Sequence, residues 1–284
     1  MMQYNIVKFA DGKQVLTAFV NGEMYSMVDT HPAFSKAAQM VMDNDESVVD
    51  VFDLANLASK AFHSVTDRVS VRNGVVYLDE SPVDSAMSKV IVDYLMEGND
   101  NALPLVLFLE RLDRNPSFTS RNQLWDFVRT HGIHIADDGR MVLYKGVNPA
   151  NEDGLYKSVS SGRAFVNGEE QNGQIHTRAG DVVTMPRREI SDDPTVACHA
   201  GLHCGARSYA QSFAKVLITT LVGPEHVVCV PRDSSSAKVR VEEYEIMQPL
   251  GDREVNTVRW SDDRTHADDD EFEDYDVWSD SWDD

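Results

Sequence analysis

Basic residues are scarce in this chain. Lysine and arginine number 26 against 47 aspartates and glutamates, a net charge of −21 over 284 residues. Duplex DNA is itself a dense line of negative charge, so a chain this acidic has no general electrostatic footprint for nucleic acid, and no direct nucleic-acid binding is expected. Long apolar runs are missing too. The longest, ALPLVLFL at 102–109, falls far short of the roughly 20 residues that span a bilayer. The opening MMQYNIVKFADGK lacks a charged-then-apolar leader with a small-residue cleavage site. Cysteines are three, an odd number with two of them six apart, which excludes a disulfide framework and points to a reducing cytoplasm. There is no P-loop and no GxGxxG.

What charge there is lies unevenly. From residue 261 onward twelve carboxylates face one arginine, so −11 of the −21 sits in the last 24 residues. Those carboxylates repel one another and too few apolar residues remain for a core, which predicts disorder over an acidic tail, 251–284. Yet Phe272, Tyr275, Trp278 and Trp282 interrupt the acid every three or four residues, a composition found in segments that dock on a basic, apolar groove. The tail reads as a solubiliser, as a partner-binding segment, or as a mimic of nucleic acid aimed at a host enzyme.

Ahead of the tail the pattern is α+β. Short strands fill 5–28, turned at Asp11-Gly12 and Asn21-Gly22, the dipeptides that best tolerate positive φ. Thr30 and Pro32 open a helix with an apolar stripe of Phe34, Ala37, Ala38 and Val41. A second helix is expected over 48–62, then a hairpin around Asn73-Gly74. From residue 84 the period becomes 3.6, with Met87, Val90, Ile91, Tyr94 and Leu95 on one face and Gly98 as the stop. A denser apolar helix follows at 103–112. Ser120 and Gln123 suggest a capping box for a helix over 124–130 that Gly132 closes. Past 133 strands dominate. Asp138-Gly139 turns a hairpin, and 238–247 reads as one alternating strand marked by Val239, Val241 and Tyr244. Only 207–215 looks helical, with Tyr209, Ala210 and Phe213 inward. The expected organisation is an α+β N-terminal domain with a helical unit, 1–132, a β-rich domain, 133–250, and the tail.

Chemistry-bearing residues crowd one stretch. Cys198, His199, Gly201, His203, Cys204 and Gly205 fall within eight residues. The atoms suit zinc, but the Cys-His and His-Cys neighbours point opposite ways and no second pair is spaced to complete a tetrahedron, so no metal is expected. Cys204 beside His203 resembles an activated thiol, but no third, orienting residue can be named. A nucleotide pocket is the remaining reading. Tyr144, Lys145 and Gly146 end a strand, Gly201 through Tyr209 turns into a short helix, and Lys145 or Arg207 would suit a pyrophosphate. Loosely, this resembles the NAD-binding core of mono-ADP-ribosyltransferases, although no catalytic glutamate can be chosen among Glu242, Glu243 and Glu245. The pocket so drawn takes in Tyr144, Lys145, Gly146, Arg187, Cys198, Gly201, His203, Cys204, Arg207 and Tyr209.

Larger motifs recur in order along the chain: FLERLDRNPS (108–117), LWDFVRTHGIHIADDGRMVLYKGV (124–147), GDVVTMPRREISDDP (180–194), CHAGLHCGARSYAQSF (198–213) and VVCVPRDSSSAKVRVEEYEIM (227–247). With them the chain resembles the RIIB-like proteins of tailed bacteriophages, relatives of the T-even rapid-lysis protein RIIB. The matching positions include Met185, Pro186, Arg187, Asp193, Cys198, Gly201, Leu202, His203, Tyr209, Pro231, Asp233, Lys238 and Arg240. The resemblance implies a phage protein made in the host cytoplasm during infection. Its implied role is to counteract a host or prophage exclusion or defence protein by binding, without an enzymatic activity or a cofactor. It also implies a RIIA-like phage partner, through which alone the protein would sit peripherally at the inner membrane. The acidic tail is outside the resemblance.

Overall fold

In the computed structural model, the structure describes residues 2–247 except 11, 30, 32, 54–57, 60, 63–64, 73, 97–101 and 215, together with the backbone of 257–259. The acidic tail with Phe272, Tyr275, Trp278 and Trp282 lies outside the described residues, as do Thr30, Pro32, Asn73, Gly98 and part of the helix expected over 48–62.

Asn21 and Gly22 both take positive φ, 53° and 87°, the two left-handed residues that a tight hairpin demands. They turn β2 (Gln14–Val20) into β3 (Glu23–Val28), and β1 (Gln3–Lys8) pairs along the other edge of β2. Leu16, Ala18 and Val20 point into the core while Phe19 between them points out, as a period of two requires. Against this sheet lies α1 (Phe34–Met42), which buries Ala37, Ala38 and Val41, followed by the short α2 (Val48–Phe52). A second small sheet of β4 (Val69–Arg72), β5 (Val75–Leu78) and β6 (Ser81–Pro82) carries α3 (Ser85–Met96), whose Met87, Val90, Ile91 and Leu95 are buried.

The next two helices, α4 (Ala102–Asp113) and α5 (Phe118–His131), dock onto the β-rich part. Gly132 ends α5 in the left-handed conformation at φ 56°. The start of α5 differs from the sequence expectation. Ser117, not Ser120, is the N-cap, its hydroxyl accepting from the Ser120 N–H at 3.2 Å. Ser120 lies inside the helix and donates to the Val228 carbonyl at 2.6 Å. Gln123 likewise reaches across to accept from the Val230 N–H at 3.3 Å. Two serines three apart offer two cap registers, and a contact more than 100 residues away selects one. One hydrophobic core continues from Leu16 in the first sheet to Ile246 near the end of the described chain.

The β-rich part is antiparallel throughout. It comprises β7 (His134–Ala136), β8 (Met141–Pro149), β9 (Tyr156–Val166), β10 (Glu169–Thr177), β11 (Val182–Thr184), β12 (Leu202–Gly205), β13 (Val216–Val222), β14 (Val227–Cys229), β15 (Lys238–Val241) and β16 (Glu243–Ile246), with β17 (Thr257–Arg259) beside β7. The pairings β8–β9, β9–β11, β11–β16, β16–β13 and β13–β8 form a closed ring of five strands. From Tyr144 in that ring a branch leaves through Gly205 to β12, β15 and β14.

Two local expectations are corrected here. The single strand over 238–247 is two, because the chain crosses at Glu242 from the branch to the ring. The short helix α6 (Arg207–Gln211) ends four residues early, and Phe213, expected inside, is 53% exposed. A helix of five residues covers only one turn of β8, so Ala210 is buried and Phe213 falls past its end.

Candidate functional site

The strand β8 builds the site because, beyond β7, the edge opposite β13 serves two further neighbours. Its residues Val147, Asn148 and Pro149 pair with β9, whereas Tyr144 pairs with Gly205 of β12. Between these contacts the two partners diverge, leaving a wedge whose floor is Lys145 and Gly146. The result is a cavity of about 650 Å³ at the mouth of the ring, walled by β9 on one side and by residues 198–204 on the other. Openings of this size at barrel mouths are common ligand sites.

Two glycines are needed for this geometry. A Cβ on Gly146 would stand 2.9 Å from the Ala210 carbonyl oxygen, so glycine lets α6 lie directly on the strand. Gly201 sits at φ 149°, and a Cβ there would meet Ile190 at 3.0 Å and Arg240 at 3.3 Å. The loop from 191 to 197, which leads into that wall, is held by two buried cations. The Arg240 guanidinium donates to the carbonyls of Ser191 and Asp193 at 3.0 Å each, and to that of Val196. The Lys238 ammonium donates to the Ala197 carbonyl at 2.7 Å and pairs with Asp233 at 2.6 Å, while lying 5.7 Å over the Tyr209 ring.

Of the residues singled out by sequence, Tyr144, Lys145, Gly146, Cys198, Gly201, His203, Cys204 and Tyr209 all line this one cavity. Arg207 does not. It is exposed at the first position of α6, outside the lining. Arg187 is a clearer correction. It bonds Asn115 Oδ1 at 3.1 Å, the Val227 carbonyl at 2.9 Å, the Glu225 carbonyl at 3.1 Å and Glu242 Oε1 at 3.3 Å. That arginine ties the helical junction at Asn115 to the β-rich part, because its fork matches several acceptors at once. Sequence reasoning missed the opposite wall, Ser158 to Ala164, and Tyr244, which stacks beneath Lys145. The run SSG within an apolar-flanked strand was the only local signal for that wall.

The electrostatics of the cavity favour uncharged side chains. Burial pushes the Cys204 thiol up, against the pull of nearby Lys145. Burial also lowers the Lys145 ammonium and raises the Tyr244 phenol. The Tyr209 phenol is pushed to about 12, mostly by burial and then by Asp233. His203 is held down at about 4, first by burial and then by Lys145, Lys238 and Arg240. A nucleophilic cysteine needs the opposite shift, so the geometry does not activate Cys204. Cys198 is exposed. Among the described residues no three His, Cys, Asp or Glu side chains converge as metal ligands.

The His203 shift has a measurable sign. Its folded value lies below the unfolded value, so below about pH 6.5 the unfolded chain takes up a proton that the folded chain refuses, and stability falls until about pH 4. Between pH 7 and pH 5 this histidine should cost about 2 kcal/mol. The urea midpoint of the wild type should therefore fall further between pH 7 and pH 5 than that of His203→Gln. An identical pH dependence in both proteins would remove His203 as the cause.

A family model described as Bacteriophage T4 protein rIIB matches residues 3–255. The chain belongs to that family. It is 27% identical over 243 residues to Protein rIIB of Enterobacteria phage T4, covering 84% of this chain and 72% of that protein. No solved structure matches it. In this rIIB-family chain the matching motifs are mostly architectural. MPR supplies the Arg187 tie, VPRD and K-x-R supply the Asp233, Lys238 and Arg240 clamp, and C-x-x-G-L-H forms the cavity wall.

Proposed function

We propose that this chain is a phage accessory protein that acts during infection by binding a host or prophage exclusion or defence protein, without catalysis of its own. The family match across residues 3–255 carries this reading. The cavity supports the non-enzymatic half of it, because its thiol is shifted away from the thiolate that nucleophilic catalysis uses and its imidazole, held at about 4, is a weak base. No helix among the described residues is long and apolar enough to cross a membrane. In this reading the protein works in the host cytoplasm, and contact with the inner membrane comes through a RIIA-like partner. The acidic tail contributes affinity by laying Phe272, Tyr275, Trp278 and Trp282 on a basic surface of the target.

A phage lacking this gene should plate poorly on a host carrying the exclusion system, and the full chain supplied in trans should restore plating. Tagged full-length protein should capture the exclusion protein from infected cells, and a chain shortened to 1–260 should capture less. Equal plating of the deleted phage on excluding and permissive hosts would overturn the reading. Undiminished capture by the shortened chain would remove the tail from the mechanism.

A further inference from the structure

The cavity has features that a surface for protein recognition does not need. Its floor holds the Lys145 ammonium, which donates to the His203 carbonyl at 2.9 Å and lies 5.4 Å from the Tyr244 ring. These are a neutral acceptor and a π-face; among the described residues Lys145 makes no ion pair, and an ammonium carries three donors. The other cations nearby are matched. Lys238 pairs with Asp233, Arg163 pairs with Glu170 and Glu189, and Arg240 is surrounded by carbonyls. Lys145 thus has donors left over and no carboxylate partner among the described residues, and a bound anion would offset the burial that lowers its ammonium.

The second feature is an open strand edge. On β9, Ser158 is the last residue to pair with β8 and Phe165 the first to pair with β11. Between them 161–164 pair with β10 and, among the described residues, with no strand on their other side, which borders the cavity; at 160 the carbonyl accepts from the Ser158 hydroxyl at 2.7 Å. Such an edge can hydrogen-bond the rim of a planar heterocycle. The rings of Tyr144 and Tyr209 line the same space and supply aromatic surface for a base, while Tyr244 lies buried under Lys145. A volume of about 650 Å³ admits a base, a sugar and a phosphate together.

We propose that this cavity binds a nucleotide, its phosphate on the Lys145 ammonium and its base between the tyrosine rings and the open edge of β9. This assignment does not depend on the exclusion protein proposed above and involves no bond-making step. Phosphate esters suit the floor because the ammonium still has donors to give, and a nucleotide uses the neutral walls through its base.

The test is thermal unfolding of the full chain with AMP, UMP, NAD and ADP-ribose, with adenosine, uridine and inorganic phosphate as controls. At about 100 times its dissociation constant a ligand should raise Tm by roughly 5 °C. We expect that shift with at least one nucleotide and not with the controls. Lys145→Met keeps the stem and removes the charge, and should abolish the shift. Gly162→Trp is the second variant. It shares the face of buried Ala164, and a Cβ there meets nothing within 4 Å, so the indole should fill the cavity without straining the strand. No shift with any nucleotide, the same shift from inorganic phosphate or a nucleoside, or an undiminished shift in a folded variant would each overturn the proposal.

Discussion

Replacing Arg240 with methionine should destabilise the chain by about 3 kcal/mol and release the loop from 191 to 197. Arg240 is 0% exposed, and among the described residues no carboxylate is paired with it. Its charge is balanced by main-chain carbonyls of the loop, at Ser191, Asp193 and Val196. Two effects oppose each other. Removing a buried charge saves its desolvation cost, and apolar substitutes for buried ions are sometimes neutral. The carbonyls remain, however, and a buried acceptor without a donor costs about 1–3 kcal/mol. Because the loop lies near the surface, those carbonyls can recover water by lifting away from β15. The loss therefore appears as loop opening as well as a lower Tm. Limited proteolysis should cut the variant within 191–197 under conditions that spare the wild type. Arg240→Lys should not restore resistance, since one ammonium cannot reach carbonyls on separate sides as a planar fork does. An unchanged cleavage pattern in Arg240→Met would show that the loop is held by something else.

Asn115→Ala should cost about 2–4 kcal/mol, a large effect for a residue in a connection between helices. Asn115 is 1% exposed and uses both ends of its amide. The nitrogen donates to the carbonyls of Pro224 at 2.9 Å and Val227 at 2.7 Å. The oxygen accepts from the Ser117 N–H at 3.0 Å and from Arg187 at 3.1 Å. Alanine removes all four bonds at the point where α4 and α5 meet β14. Asn115→Asp should be worse than alanine, because a carboxylate would face two carbonyl oxygens where donors are needed. Denaturant midpoints should rank the proteins wild type, alanine, aspartate. Hydrogen exchange should quicken together at 115–120 and 224–230 in both variants. A midpoint for Asn115→Ala within error of the wild type would mean that water replaces the amide and the helices are held by apolar contact alone.

Both residues show where sequence reading stops. Asn115 looks like an ordinary helix terminator before Pro116, and the two carbonyls it donates to lie more than 100 residues away. Lys238 and Arg240 alternate with Val239 and Val241, a pattern that in isolation places the charged pair in solvent. Both faces of β15 are in fact buried, since the loop from 191 to 198 covers the charged side and supplies its acceptors. The same limit explains Ser117 against Ser120 and the misplaced Arg187.

By itself the sequence determined whatever depends on neighbours within a turn or a hairpin. Asn21-Gly22 specified its turn through two residues that tolerate positive φ, the stripe from Met87 to Leu95 specified α3, and Gly132 ended α5. It also placed Tyr144, Lys145, Gly146, Cys198, Gly201, His203, Cys204 and Tyr209 in one group, and these the cavity brings together. Only the tertiary structure decided that β8 pairs with β9 and β12 on the same edge, that β9 leaves one side of 161–164 without a strand partner among the described residues, and that Arg240 faces carbonyls instead of water. The reason is physical. Turn and helix preferences reside in the covalent geometry of adjacent residues, whereas strand order and the partners of buried charges arise from groups that meet only when distant segments pack.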